Sequence, residues 1–338
     1  MASILVTGGA GYIGSHTVIE LLGAGHKIII IDNLNNAEAY ILDRIKIITG
    51  KDFEFYPVDV TDKTALTAIF STHPIDAVIH FAAHKSVAES VQQPLRYFHN
   101  NLVSLITLLE VMNQYAIQNI VFSSSATVYG DADKLPITEA APFKKALSAY
   151  GSTKQMGEEI LEKSAATGLA KAIALRYFNP VGAHASALIG ELPKGIPNNL
   201  FPYVMQVAAG KLEQLTVYGN NYATPDGTCL RDYIHVTDLA KAHVLSCERL
   251  IESKNTSAFE VFNLGTGSGT SVLQIIQNFE KIAGRPLRYS IGKRREGDAP
   301  AVYADAAKAN TILGWRAMLD IEAMIQSAWK WELERNTI

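Results

Sequence analysis

The chain has 338 residues, 48% of them hydrophobic and 19% charged, with a formal net charge of −3. That is long enough for a core well above the marginal-size limit and ordinary for a soluble globular protein. A slightly negative chain offers no broad basic surface for nucleic acid, and no apolar run reaches the roughly 18 residues that a membrane helix needs.

The opening MASILVTGG has no basic segment or cleavage site and leads straight into strand-like sequence. Short runs rich in Ile and Val then recur at residues 3–7, 27–32, 52–57, 77–82, 119–123 and 171–176. Helical stretches separate them at 15–22, 63–70, 101–115 and 151–167. Strands alternating with helices predict βαβ units and a parallel sheet covered on both faces. The expected fold is α/β: a Rossmann-type doubly wound sheet over residues 1–178.

Beyond Tyr177 the texture changes. Residues 179–201 contain Pro180, Pro193 and Pro197 with little periodicity, which reads as long loops at a change of domain. Further helices are expected at 202–209, 272–283 and 321–332. Residues 179–338 are therefore expected to form a smaller α/β substrate domain, with a segment near 235–262 returning to the first. Cys229 and Cys247 form neither a disulfide framework nor a zinc-ligand spacing. No metal centre is expected, and the setting reads as cytoplasmic.

The glycines of ILVTGGAGYIGSH, Gly8, Gly11 and Gly14, follow a strand and open a helix. Glycine allows the tight turn and the close approach of a pyrophosphate, toward which the helix amides then point. Asp32 closes the next strand, 18 residues after Gly14, where a carboxylate accepts from ribose hydroxyls and repels a 2′-phosphate. That predicts NAD rather than NADP. Asp59, in PVDV, fits either an adenine contact or a turn cap.

VFSSSATVYG ends an apolar run in three serines, and AYGSTK brings Tyr150 25 residues after Ser125, with Lys154 four further on. Residues four apart share a helix face. A Tyr is a poor base at neutral pH, but an adjacent ammonium and a cationic nicotinamide ring favour its phenolate. Strand alternation sets Ser123 and Ser125 on one side and Ser124 on the other, without choosing between the first two.

TGGAGYIG, SSSATVYG and YGSTK resemble the extended short-chain dehydrogenase/reductase superfamily. RYFNPVGAH, IPNNLFPYV, DGTCLRDYIHVTDLA and RREGDAPAVYAD resemble the UDP-glucose 4-epimerases within it, nearly end to end. The resemblance implies Ser125 as the catalytic serine and Tyr150 as the base. It implies that Lys154 holds the nicotinamide ribose and lowers the Tyr pKa. It places NAD on Tyr12, Ile13, Asp32 to Asn36 (Asn33 included), Asp59, Val60, Phe81, Ala82, Ala83, Lys85, Asn100 and Phe178. FAAHK, with His84, departs from the usual wording of that segment.

For the sugar nucleotide, the resemblance implies Asn179, Asn199, Leu200, Leu215, Thr216, Tyr218, Tyr233, Val272 and Asp298. Arg231 in CLRDYIH and Arg295 in RREGD are candidates for the diphosphate, which guanidinium groups bind well. Val302 stands where many bacterial members carry a tyrosine, which implies acceptance of UDP-GlcNAc and UDP-GalNAc as well. The implied reaction interconverts UDP-glucose and UDP-galactose through a 4-keto sugar, and the implied assembly is a homodimer. A dehydratase would need acidic residues where Ala126 and Thr127 stand. An NAD-sensing regulator commonly lacks the Tyr or Lys present here.

Overall fold

The structure, a computed structural model, describes residues 1–295 and 297–335. Strands β1 (Ser3–Thr7), β2 (Lys27–Ile31), β3 (Glu54–Tyr56), β4 (Ala77–His80), β5 (Asn119–Ser125) and β6 (Lys171–Tyr177) join Phe259–Leu264 in one parallel sheet. Its order is Phe259–Leu264, β6, β5, β4, β1, β2, β3. Runs such as KIIII suit this position because both faces of a parallel sheet are covered.

β1 lies between β2 and β4, so the strand order reverses there. In open α/β sheets a crevice forms at such a point, beyond the carboxyl ends of the strands. The register sets Thr7 level with Ile31 and His80, so Gly8, Asp32 and Phe81 emerge abreast at that end. Gly8 N donates to Ile31 O at 2.7 Å and Phe81 N to Thr7 O at 3.0 Å, which fixes the three exits.

Two apolar layers sandwich the sheet. On one side Val18, Leu21 and Leu22, from the helix Tyr12–Gly23, share a buried cluster with Leu239, Cys247 and Leu250. On the other, Leu66, Ile69 and Phe70 pack with Leu105, Leu108, Val111, Met112 and Leu161. Each such side chain contributes roughly 1.5–3 kcal/mol when fully buried. A further cluster gathers Phe201, Val204, Ile275, Phe279, Met324 and Ile325 beside the paired strands Leu215–Tyr218 and Tyr289–Gly292.

Several boundaries differ from the sequence reading, for identifiable reasons. β5 runs on to Ser125 because Ser124 and Ser125 pair with Arg176 and Tyr177 of β6. The helix expected from residue 101 begins at Pro94, a residue that fits the first helical turn, where its missing N–H costs nothing. β3 covers only Glu54–Tyr56 of the expected 52–57, and Asp59 lies beyond it. There Asp59 Oδ1 accepts from Thr61 N at 2.9 Å.

Candidate active site

The glycine loop is built for close contact. Gly8 has φ +72°, and a Cβ there would come 2.8 Å from the Ala82 amide nitrogen. A Cβ on Gly14 would sit 2.2 Å from the Gly8 carbonyl oxygen. Neither site tolerates a side chain, and Gly11 leads directly into the helix Tyr12–Gly23. Ile13 and Gly14 lie in its first turn.

Asp32 faces this loop. Its Oδ2 accepts from Ala10 N at 3.1 Å and its Oδ1 from Leu34 N at 2.9 Å. Burial raises its pKa, opposed by the N–H groups of Leu34, Ala10 and Gly11. Asn33 Nδ2 donates to Asp59 Oδ2 at 2.8 Å, so these two predicted cofactor residues meet. Burial raises the Asp59 carboxyl, but hydrogen bonds from Thr61 and Asn33 outweigh it and leave the pKa lowered. Val60 is buried beside it.

Beyond β4, FAAHK forms the facing wall, with Ala82 close to Gly8. The departure at His84 is absorbed by its backbone: His84 N donates to Asn101 Oδ1 at 2.8 Å and His84 O accepts from Asn101 Nδ2 at 3.0 Å. Asn101 also donates to Thr153 Oγ1 at 3.1 Å, tying the wall to the helix Ala149–Ala166. The sequence reading missed Asn101, although a polar pair, Asn100 and Asn101, on an amphipathic helix was a visible signal. Tyr12 OH donates to Gly182 O at 2.7 Å, and Lys85 Nζ lies 5.8 Å from the Tyr12 ring centroid.

Ser125, Tyr150 and Lys154 come together as the spacing predicts. Ser148 caps the helix, accepting from Gly151 N at 3.1 Å, so Tyr150 and Lys154 face β5 from its first turns. All three side chains are buried. The three serines part company: Ser125 is near enough to Tyr150 to lower its phenol pKa and accepts from Thr127 N at 3.2 Å, Ser123 meets the Tyr177 hydroxyl, and Ser124 turns to Glu158. Thr127 Oγ1, beside Ser125 in sequence, is buried with no hydrogen-bond partner among the described residues.

Electrostatically, burial dominates. It pushes the Tyr150 phenol up to about 12, against the lowering hydrogen bond from Ser125. It brings the Lys154 ammonium down to about 7, opposed by the Glu158 carboxylate. The Lys154 Nζ donates to Ser123 O at 2.5 Å and stands 5.8 Å from the Tyr150 ring centroid. In the protein by itself the ammonium therefore does not offset the burial of the phenol.

Beneath this trio lies a network that sequence reasoning missed. Arg176 grips Glu158 through contacts of 2.9, 3.1 and 2.6 Å and donates to Tyr129 OH at 2.9 Å. Glu158 lies one turn beyond Lys154, a spacing legible in sequence; its partner on β6, Arg176, was not.

A second cluster collects the predicted diphosphate residues. Arg231 Nη2 lies 3.5 Å from Asp298 Oδ1, while Arg295 donates to both Asp298 oxygens at 3.1 and 2.8 Å. Arg295 also sits over the Tyr218 ring, 5.6 Å from its centroid. Two guanidiniums sharing one carboxylate leave net positive charge, suited to an anion. Val302 pairs with Arg231 across a short parallel ladder. It also packs on the cluster of Val128, Tyr129, Ile137, Phe178 and Ala304.

Asp232, next to Arg231, went unnoticed in the sequence. Fully buried, it accepts from Thr266 N and Oγ1, Gly267 N and Ala304 N at 2.7–3.1 Å. Its backbone carbonyl accepts from Asn179 Nδ2 at 2.8 Å, so it anchors a predicted substrate residue. Asn199 starts the helix Leu200–Ala208, Leu215 and Thr216 lie on a strand, Tyr233 packs against Phe201, and Val272 opens a helix. No hydrogen bond or ring contact among the described residues links these last five to Tyr150.

The family model for the NAD dependent epimerase/dehydratase family matches residues 4–265. The UDP-glucose 4-epimerase of Bacillus subtilis is 52% identical over 331 residues, covering 98% of this chain and 96% of its own. A solved UDP-glucose-4-epimerase from Stenotrophomonas maltophila, with bound NAD and formylated UDP-arabinopyranose, matches at TM-score 0.97 and 48% identity over 100% of this chain and 99% of its own. Another, from Bifidobacterium longum in complex with NAD+ and UDP, matches at TM-score 0.93 and 49% identity, covering 99% of each chain.

Proposed function

This chain belongs to the NAD dependent epimerase/dehydratase family, and we propose that it interconverts UDP-glucose and UDP-galactose by epimerisation at C4. The single observation that carries the reading is the buried Ser125–Tyr150–Lys154 set opening beside a glycine cradle. A dinucleotide fits there: the absent Cβ atoms at Gly8 and Gly14 leave backbone open to a pyrophosphate, and Asp32 stands ready for ribose hydroxyls.

When bound, NAD supplies a hydride acceptor and donor for the sugar C4, together with a positive ring near the phenol. The residues then divide the remaining work. Tyr150, released from its high pKa by added positive charge, would take the C4 hydroxyl proton and later return a proton to the same oxygen once the 4-keto sugar has presented its opposite face. Ser125, buried beside Tyr150, orients that hydroxyl. Lys154, held on Ser123 O, would hold the cofactor ribose. Arg231 and Arg295 hold the diphosphate, and a firm grip there with a loose one on the hexose permits the sugar to turn over.

The finer assignments rest on the same reading. We assign the dinucleotide to residues 1–178 with the returning segment near 235–262, and the UDP-sugar to the remainder of 179–338. Val302 is smaller than a tyrosine, so an N-acetyl group on the sugar would meet less bulk there, and on this reading the substrate range extends to UDP-GlcNAc and UDP-GalNAc. Val91, Leu95, Leu147 and Met156 are exposed apolar residues on the helices Val87–Gln92, Pro94–Gln114 and Ala149–Ala166 and the turn before the last. A second copy of the chain covering them would give the homodimer. No helix among the described residues is long and apolar enough to cross a membrane, and two buried free thiols suit a cytoplasmic setting. The test is conversion of UDP-galactose to UDP-glucose by the purified protein.

A further inference from the structure

One carboxylate joins the two halves of the site. Glu191 Oε1 accepts from Lys85 Nζ at 3.2 Å and from Asn199 Nδ2 at 3.0 Å. Lys85 lies on the cofactor wall beyond β4, and Asn199 begins the helix Leu200–Ala208 on the nucleotide-sugar side. An Asn in that helix-starting position ordinarily turns back to cap the first turn, yet this one makes no such bond and gives its amide to Glu191. The same carboxylate also raises the Tyr12 phenol pKa, after burial, so it faces the start of the glycine-loop helix as well.

Glu191 is firmly placed. Its carbonyl accepts from Trp331 Nε1 at 3.0 Å, and Gly190 lies flat on the indole, where a Cβ would approach a ring carbon to 2.5 Å. Gly190 also bridges to Ala183. The Glu191 side chain is 11% exposed, whereas that of Lys85 is 49% exposed. A pair so open on one side contributes little to stability. The fixed geometry therefore serves position, not cohesion.

We propose that Glu191 is a positioning residue that couples the cofactor and sugar-nucleotide sites. This rests on the function proposed above, which puts Lys85 on NAD and Asn199 on the UDP-sugar. A ligand that holds Asn199 keeps its amide on the already fixed carboxylate, and the more exposed Lys85 on the same oxygen then has less freedom left to lose. Ordering at one site thereby favours occupancy of the other.

The experiment uses the full chain carrying NAD. Release of NAD into excess competing NAD is timed with and without UDP, for the parent, Glu191→Gln and Glu191→Ala. In the parent, UDP slows release by about fivefold or more. In each variant that ratio falls toward one while the melting temperature stays near the parent's. A ratio that persists in Glu191→Gln and Glu191→Ala, or a parent in which UDP leaves release unchanged, overturns the coupling. No turnover is involved, so a failed epimerase assay would remove the proposed reaction without touching this result. A persistent ratio beside normal epimerisation would remove only the bridge.

Discussion

Lys154 points its ammonium at the Ser123 carbonyl, 2.5 Å away, and not at the Tyr150 hydroxyl. Burial holds its pKa near 7, well below the ordinary lysine value. With a folded pKa depressed below the unfolded one, its contribution to stability is present above about pH 10.5 and lost as pH falls toward 7. In cofactor-free protein, Lys154→Met should therefore gain stability over the parent by on the order of 1 kcal/mol per pH unit between those limits. Below about pH 7 the difference should level off. Denaturant titrations across that range check it; a pH-independent difference would show that Lys154 stays charged.

Glu158 carries a second expectation. Its bond to Arg176 is buried on both sides, with side-chain exposures of 2% and 7%. Removing one charge leaves the other unpaired, so Glu158→Gln should cost about 3–5 kcal/mol in chemical denaturation. A loss below about 1 kcal/mol would mean that Arg176 finds compensation elsewhere.

How far the sequence reached depends on the range of each interaction. Gly8, Gly14 and Asp32 were legible because a strand–turn–helix and the next strand end are set by local spacing. Tyr150 and Lys154 were legible because residues four apart share a helix face. Asn101, Asp232 and Glu191 were not, since their partners lie far along the chain: Thr153, Ala304 and Lys85 respectively. The balance of burial against charge in the ligand-free site was not legible either. Burial of Tyr150 outweighs its neighbours only once the fold closes around it, and no local pattern reports that.

Asp32 should set the choice of cofactor. Asp32→Asn keeps one of the two oxygens that accept from Ala10 N and Leu34 N and loses the charge that repels a 2′-phosphate. The ratio of NADP to NAD dissociation constants should fall by about tenfold, or ~1.4 kcal/mol. Equal ratios in parent and variant would remove Asp32 from the ribose.

Val302 should set the breadth of the sugar pocket. The parent should epimerise UDP-GalNAc as well as UDP-galactose, and Val302→Tyr should lose the first while keeping the second within about tenfold, a loss typical of a filled pocket. A parent inactive on UDP-GalNAc, or a variant active on both, would refute this role.

The central claim is tested most directly by incubating the purified protein with UDP-galactose, without added NAD, and following UDP-glucose. The parent should reach one equilibrium mixture from either sugar, and Tyr150→Phe should be about 10²–10⁴-fold slower while retaining NAD. A parent that interconverts neither sugar, or a Tyr150→Phe variant as fast as the parent, would contradict the account.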